Sequence, residues 1–257
     1  MKRIYPFLMV FVLFSLSIAG AQSADSLSAD EIVKLARESR ERQKEYVKDY
    51  TCICVEEMRI LDKNGKIKHK EIAEKRVYVK GELTHDQIVR VEKKEKSLAE
   101  KEIKKRQEEI DKEEKKRGKE KESEWISPFD KEAEGRFEFA LMREDSLDGR
   151  SVYVLSANPK KKGKGLLKGL YWIDKESFRV WKSELVPSEN PKFVKEMKMF
   201  IDFTRVEQGV LLMKTFRVKG KGGFLFFKTN FEMERSCHDY RLNVGLEDEV
   251  FPELKAE

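Results

Sequence analysis

The stretch from Gly169 to Cys237 constrains the fold more than any other part of this chain. It contains several apolar runs of strand length that are separated by short polar segments, with glycines at Gly209 and Gly220. Nine of the chain's 16 phenylalanines fall within it. In the run from Val210 to Val218, apolar residues occupy alternate positions of both parities, so both faces of a strand would carry apolar side chains. Sequential strands with short turns predict an antiparallel sheet whose faces are both covered, or of which one lines an apolar cavity.

The N-terminus indicates the cellular compartment. Two basic residues, Lys2 and Arg3, precede an apolar run from Tyr5 to Ile18, and small residues follow it. This pattern is typical of a secretory signal peptide. The run is shorter than the ~20 apolar residues that a membrane-spanning helix needs. We therefore expect residues 1–21 to be removed, and residues 22–257 to form a single soluble domain in the periplasm.

The charge of the chain is high but mixed in sign. Charged residues make up 40% of the sequence, and 54 basic residues nearly balance 48 acidic ones. A nucleic-acid-binding protein usually has a clear basic excess on one surface, so this balance argues against nucleic acid as a partner.

Much of that charge is concentrated in residues 92–122, which are almost entirely Lys, Glu and Arg. Oppositely charged residues recur four positions apart, as at Glu100 and Lys104, and such pairs stabilise a helix. The segment therefore predicts a charged helical insertion between two strands. Its surface would be solvated, or it would serve as an arm that binds a partner.

The first part of the mature chain predicts a helix followed by a hairpin. Ser28 and Glu31 form a capping-box pattern at the start of an amphipathic helix over residues 28–48. From Tyr50 the apolar period changes to two, which indicates a strand. The dipeptide Asn64-Gly65 then predicts a tight turn into the next strand.

No familiar catalytic signature occurs in the chain. The three histidines are His69, His85 and His238. His238 follows Cys237 directly, but neighbours on a strand point to opposite faces, so adjacency alone does not make a catalytic pair or a metal site. We predict that the protein is not an enzyme and has neither a metal site nor a cofactor.

Three cysteines, Cys52, Cys54 and Cys237, leave at least one thiol unpaired within the chain. In an oxidising compartment the simple options are one disulfide with one free thiol, or three buried thiols. Cys52 and Cys54 are two residues apart, which is a poor geometry for a mutual bridge. A bridge from either of them to Cys237 requires that the first and last strands lie close together.

The loop from Asn158 to Gly169 is basic and contains two leucines. It would be a flexible solvated loop, or it would make transient contact with an anionic membrane surface, because basic residues beside apolar ones suit such a surface. The candidate contact residues are Lys160, Lys161, Lys162, Lys164, Leu166 and Leu167.

Several segments together resemble a known family. They are the signal peptide, the helix DEIVKLARESRERQKEYVKDY that runs into the first strand, and the segment GLYWIDKESFRVWKSEL. Within the last segment, the turn from Trp172 to Ser177 is the most specific element. These features resemble the outer-membrane lipoprotein-sorting superfamily of LolA- and LolB-like carriers.

The resemblance implies a mainly β (α+β) fold. In that family a curved, unclosed antiparallel sheet, or half-barrel, is covered by helices, and an apolar cavity between them takes acyl chains. We expect the same arrangement here, with the N-terminal helix packed on the sheet. The charged insertion at residues 92–122 departs from the carriers, which lack it.

The resemblance also implies a function. It predicts a periplasmic protein that binds or carries a hydrophobic ligand, such as a lipid or a lipoprotein acyl chain, in envelope biogenesis. The alternative is an envelope protein–protein interaction or sensing module with a packed sheet and no ligand cavity. The candidate cavity residues are Trp172, Phe200, Phe203, Leu212, Phe216, Phe227 and Phe231.

Overall fold

The computed structural model describes residues 27–120, 125–223 and 229–254. These residues form one antiparallel sheet of eleven strands and two α-helices. The prediction of a mainly β fold is confirmed. The elements are α1 (Ala29–Tyr46), β1 (Asp49–Leu61), β2 (Ile67–Lys80), β3 (Leu83–Lys93), β4 (Lys96–Ser97), α2 (Glu100–Glu120), β5 (Phe137–Leu147), β6 (Arg150–Pro159), β7 (Leu167–Asp174), β8 (Val180–Pro187), β9 (Val194–Arg205), β10 (Leu211–Gly222) and β11 (Thr229–Leu242).

The sheet is unclosed, as the resemblance implied. Its strand order is β4-β3-β2-β1-β11-β10-β9-β8-β7-β6-β5, so β4 and β5 form the two edges. Every neighbouring pair except β1–β11 is consecutive in sequence. The pairing of the first long strand with the last, in register from Tyr50–Leu242 to Leu61–Asn230, joins the two halves of the chain at the middle of the sheet.

The N-terminal helix covers one face of this sheet. The Ser28–Glu31 capping box is present, and the helix ends at Tyr46, two residues earlier than predicted. Its buried side chains Ile32, Val33 and Ala36 pack with core residues of β5–β10. Burying one such aliphatic side chain contributes about 1.5–3 kcal/mol, so this apolar stripe fixes the helix on the sheet.

The most specific sequence element, from Trp172 to Ser177, forms the turn between β7 and β8. The Asp174 Oδ1 atom accepts hydrogen bonds from the backbone N–H of Glu176 at 3.2 Å and of Ser177 at 2.7 Å, and from the Ser177 hydroxyl at 2.6 Å. The Ser177 carbonyl in turn accepts a hydrogen bond from Ser39 of α1 at 2.8 Å. The aspartate therefore shapes the turn, and the turn anchors the helix.

The first hairpin was predicted correctly, whereas the strand that follows it was missed. The hairpin at Asn64-Gly65 joins β1 to β2 as expected. The prediction of a charged helix over residues 92–122 was wrong at its start, because β3 continues to Lys93 and α2 begins only at Glu100. β3 itself was missed, although the β-branched run of Ile88, Val89 and Val91 is typical of a strand.

The charged helix is not simply solvated. The Gln107 side chain accepts a hydrogen bond from the Ile88 N–H at 2.7 Å and donates one to the Asp86 carbonyl at 3.1 Å. Glu114 accepts from the Asp86 N–H at 3.0 Å, and Arg106 forms a bidentate ion pair with Glu71. Side chains of α2 therefore take the place of a neighbouring strand along the edge of β3, and they satisfy backbone groups that would otherwise be exposed.

The predicted signal peptide, residues 1–21, lies outside the described residues. Within the described residues, no helix combines the length and apolar character that are needed to cross a membrane.

Candidate functional site

A cavity of about 640 Å³ opens at one end of the sheet. We call it the main cavity. It lies where the ends of β7–β11 meet the end of β1 and the first hairpin turn. Its lining residues are Leu61, Gly65, Lys168, Val186, Pro187, Asn190, Lys195, Glu196, Met197, Lys198, Lys219, Gly220, Lys221, Asn230, Phe231 and Glu232.

The floor of the main cavity is apolar and belongs to the core face of the sheet. Gly220 of β10 pairs with Met197 on one side and with Phe231 on the other, so these three residues share one face. Met197 and Phe231 pack against the core cluster beneath α1. A side chain at Gly220 would collide with the Phe231 ring, so the glycine lets that ring lie across the strand.

The rim of the main cavity is rich in positive charge. Five lysines and two glutamates line it. Each glutamate already has a cationic partner: Glu196 pairs with Lys221 at 2.9 Å, and Glu232 pairs with Lys219 at 3.2 Å and with Arg59 at 3.2 Å. The lining therefore combines apolar residues with charged ones, and pairs such as Lys198 and Lys219 lie on the strand face opposite to Met197 and Gly220.

Two of the candidate ligand residues lie on the core face of the sheet, and their surroundings differ. Phe231 lines the main cavity, as the carrier hypothesis requires. Phe216 packs against the core cluster and does not line that cavity. Phe227 lies outside the described residues.

Two other candidates lie on the outer face. Phe200 pairs with Arg217, whose guanidinium lies 5.7 Å from the ring centroid. The Lys182 ammonium lies 4.5 Å from the Trp172 ring, and this tryptophan packs with Val152 and Val154. Cations thus cover apolar rings on the face opposite to α1. This covering accounts for the apolar residues on both strand faces. Strand register places Phe200 and Trp172 on the outer face, and neither of them lines the main cavity.

The remaining two candidates do not line the main cavity either. Leu212 is buried, with 9% of its surface exposed. Phe203 lines a smaller cavity of about 310 Å³, together with Trp181, Asp202 and Arg217. Asp202 accepts hydrogen bonds there from Thr215 and Arg217, both at 2.8 Å, so its carboxylate is already paired.

The basic loop has exposed lysines and buried leucines. Leu166 and Leu167 are 4% and 6% exposed and belong to the core cluster beneath α1. These two residues are therefore not available to a membrane surface. Lys160, Lys161, Lys162 and Lys164 are exposed, so only the charged part of the predicted membrane contact lies at the surface.

Cys54 of β1 and Cys237 of β11 form a disulfide, and Cys52 is a buried free thiol. The Cys52 Sγ atom lies 3.7 Å from that of Cys54. Burial raises the pKa of Cys52 to about 11, so it stays a protonated thiol at neutral pH. Since the Cys237 sulfur is bonded to Cys54, Cys237 and His238 do not form a nucleophile–base pair.

A half-buried ion network that the sequence did not indicate lies beside the disulfide. Arg235 of β11 contacts both carboxylate oxygens of Asp86 of β3 at 2.8 and 2.9 Å. Lys75 lies 3.5 Å from Asp86 and 3.1 Å from Glu56. Burial alone would raise the pKa of Asp86, but the charges of Arg235 and Lys75 hold it below its usual value. The sequence analysis could not reveal this network because it missed β3, the strand that carries Asp86.

His85, Asp111 and Glu114 bring three potential metal-ligand atoms within 4.8 Å of one another where α2 meets β3. Both oxygens of Glu114 are engaged, one with His85 at 2.7 Å and one with the backbone N–H of Asp86. Burial alone would lower the pKa of His85, but Glu114, Asp111 and Asp86 raise it. The group already serves to attach the helix to the strand.

Part of the chain matches a family model of unknown function, and its structure is similar to several solved structures. A model described as a family of unknown function (DUF5686) matches residues 116–240. Comparison with curated proteins gives no match. Among solved structures, the chain is similar to a DUF1329 family protein from Desulfovibrio piger, at 13% identity and a TM-score of 0.44, over 88% of this chain and 98% of that one.

Two further solved structures carry names from the superfamily that the sequence resembles. One is a putative outer membrane lipoprotein-sorting protein domain from Vibrio parahaemolyticus, at 14% identity and a TM-score of 0.43, over 86% of this chain and 96% of that one. The other is a LolA superfamily protein from Nitrosomonas europaea, at 14% identity and a TM-score of 0.36, over 88% and 98% of the two chains.

Proposed function

We propose that this chain is a non-enzymatic binding or carrier protein of the bacterial envelope that holds the acyl chain of a lipid or lipoprotein in the main cavity. The observation that carries this proposal is the apolar floor formed by Met197, Gly220 and Phe231 beneath an opening of about 640 Å³. That volume is in the range of about 300–1,000 Å³ that is usual for small-molecule sites.

The energetics of such a site are those of apolar burial. Each CH₂ group that leaves water contributes about 0.8 kcal/mol. A few methylene groups seated on Met197 and Phe231 would therefore give useful affinity without a buried polar anchor. The site needs no catalytic group, since binding and release are the whole of its chemistry.

Periplasmic location is part of the proposal and rests on the N-terminal sequence. Cell fractionation of the tagged full chain, with mass determination of the purified product, tests it. We expect the product to begin near residue 22 and to appear in the periplasmic fraction. A cytoplasmic product that retains residues 1–21 would contradict this part of the proposal.

Ligand binding can be tested with one pair of matched substitutions. Met197→Glu places a charge on the floor of the main cavity, whereas Met142→Glu makes the same change at an exposed position on β5. The probe is a dansyl-labelled undecanoic acid, which becomes fluorescent in an apolar site. We expect Met197→Glu to weaken binding at least tenfold, because a carboxylate is costly to bury, and Met142→Glu to bind as the wild type does.

Two outcomes would count against the proposal. One is a wild-type protein that neither binds the probe nor shows a bound lipid mass when it is purified from its own envelope and examined by native mass spectrometry. The other is equal loss of binding in both variants, which would place the probe outside the main cavity.

A further inference from the structure

We propose that Cys52, Cys54 and Cys237 form a binding site for a soft monovalent metal ion, Cu(I), when the disulfide is reduced. The inference is independent of the proposed function, because none of the three cysteines lines the main cavity. It departs from the expectation, drawn from the sequence, that the protein has no metal site. Cys237 is 183 residues from Cys54 in sequence, and only the pairing of β1 with β11 brings the third sulfur to the other two.

The first argument is the distance between the sulfur atoms. The Sγ atoms of Cys52 and Cys54 lie 3.7 Å apart, and all three sulfur atoms lie within 4.8 Å of one another. Metal–thiolate bonds are about 2.3 Å long, so two sulfur atoms on one metal ion lie about 4 Å apart. Cys52 and Cys54 therefore already have the spacing of two ligands of one metal ion, and the third sulfur is within reach.

The second argument is that the fold keeps the third cysteine in place without the disulfide. Cys237 lies opposite Cys54 in the β1–β11 ladder, which continues on both sides of this pair. Reduction breaks the S–S bond, but it leaves the backbone hydrogen bonds between the two strands intact. The two sulfur atoms can then separate to the distance that a shared metal ion needs, while both stay on the same face of the sheet.

The third argument is the surroundings of the cluster, which select the metal ion. The three cysteines are buried, and Tyr50, Val77, Val79, Met213 and Tyr240 pack together with them. Among the described residues, no histidine or carboxylate joins this group of ligand atoms. Zn²⁺ takes four ligands in structural sites, whereas the softer Cu(I) is satisfied by fewer ligands that are all sulfur. A buried site with three sulfur atoms therefore favours Cu(I).

The nearest buried charge has the sign that such a site needs. Arg235 lies two residues before Cys237 on β11, so the two residues share a strand face. Burial raises the pKa of Cys52, and the charge of Arg235 opposes this increase more strongly than the charge of Asp86 adds to it. A cysteine must lose its proton to bind a metal ion. Arg235 therefore stabilises the thiolate form that would bind Cu(I).

Loading the site requires a dithiol reductant. The dithiol gives up two electrons and two protons and becomes a cyclic disulfide, while Cys54 and Cys237 become thiols. Cu(I) then replaces the thiol protons, which pass to the solvent, and the oxidation state of the copper does not change. The oxidised protein keeps only the Cys52 thiol at this position, so it offers no such site.

The experiment is a competition for Cu(I) between the protein and the chelator bicinchoninate. The full chain is reduced with dithiothreitol, and the titration follows in the absence of oxygen after the reductant has been removed. We expect the reduced wild type to take one Cu(I) per chain from the chelator, and the oxidised wild type to take none. X-ray absorption of the loaded protein should find three sulfur neighbours at about 2.3 Å from the copper.

A pair of variants separates the sulfur ligand from the packing around it. Cys52→Ser removes one sulfur and should weaken Cu(I) binding at least tenfold, since even a change beside a metal ligand costs about 10–100-fold in affinity. Val77→Ala is the matched control, because Val77 pairs with Cys52 and packs in the same cluster but contributes no sulfur. Its affinity for Cu(I) should stay close to that of the wild type.

Three outcomes would overturn the inference. They are equal Cu(I) binding by the reduced and the oxidised wild type, equal affinity of the reduced wild type and Cys52→Ser, and displacement of Cu(I) by equimolar Zn²⁺, which would assign the site to a different metal. Binding of the dansyl probe is measured in the same samples. It should not respond to Cu(I), because the cysteines lie outside the main cavity, so the proposed function is tested separately.

Discussion

Cys54 and Cys237 face each other across the β1–β11 pair and are joined by a disulfide, although 183 residues separate them in sequence. Most of the described chain, from the middle of β1 to β11, therefore lies within one covalent loop. The bond links the two strands at the centre of the sheet, where the first and last strands meet. Buried Cys52 lies beside it as the third cysteine of the chain.

Cys237→Ser should lower the free energy of unfolding by about 2–4 kcal/mol, because the unfolded chain is no longer constrained by the cross-link. Urea denaturation under non-reducing conditions measures this effect. Thiol titration of the unfolded, unreduced wild type should find one thiol per chain, and Cys52→Ala should have none. Three thiols in the wild type would show that the bridge is absent.

Asp86→Asn should destabilise the protein at neutral pH by about 1.5–3 kcal/mol, because the half-buried Arg235 guanidinium loses its nearer carboxylate partner and keeps only Glu56, at 4.0 Å. The pKa of Asp86 is lower in the folded chain than its ordinary value of 3.8. Its stabilising effect is therefore fully present above that value, and it is lost as the pH falls through the lower folded pKa.

Urea denaturation between pH 7 and pH 2 tests this expectation. The wild type should lose stability below about pH 4, and Asp86→Asn should lose less over the same interval. Asp239→Asn is the control, because Asp239 is exposed on β11 and asparagine also adopts its left-handed backbone. An Asp86→Asn profile parallel to that of the wild type would show that Asp86 does not titrate as expected.

Gln107→Ala should destabilise the protein by about 1–3 kcal/mol and expose the edge of β3, since the Ile88 N–H and the Asp86 carbonyl lose their partner. Hydrogen exchange at Ile88 should accelerate, and the variant should self-associate at high concentration. Glu108→Ala, on the exposed side of α2, is the matched control. Unchanged exchange at Ile88 in Gln107→Ala would mean that the helix does not protect this edge.

Asp174→Ala should destabilise the protein by about 1–3 kcal/mol, because the backbone N–H of Ser177 and the turn around it lose their acceptor. The effect should reach α1 through the hydrogen bond from Ser39 to the Ser177 carbonyl. Urea denaturation gives the first result, and hydrogen exchange in α1 gives the second. Glu176→Ala removes a neighbouring carboxylate of the same turn and should have little effect.

Those parts of the fold that depend on local sequence were predictable. The capping box at Ser28, the dipeptide Asn64-Gly65 and the apolar runs after Gly169 each act within a few residues, so they located α1, the first hairpin and most strands. β3 was missed although its run of Ile88, Val89 and Val91 is typical of a strand, whereas the covering of its edge by Gln107 and Glu114 of α2 follows from no local pattern.

The candidate site was predictable only in part, for a related reason. The apolar side chains of Phe200 and Phe231 look alike in sequence, but strand register places one under Arg217 on the outer face and the other on the floor of the main cavity. A shift of one residue exchanges the two faces of a strand. The cavity also depends on Gly220, whose importance follows from the ring that crosses it.

Gly220→Ala should destabilise the protein by about 1–3 kcal/mol and weaken binding of the dansyl probe, because the new methyl group forces the Phe231 ring off the floor of the main cavity. The control is a double-mutant cycle with Phe231→Ala. Once the ring is absent, the added methyl group has no obstacle, so Gly220→Ala should cost much less in that background. Equal effects in both backgrounds, measured by urea denaturation, would show that the glycine is needed for the strand itself and not for the ring. In that case the floor would be set by Met197 and its core neighbours, and only the probe affinity of the Met197 variant would report on the site.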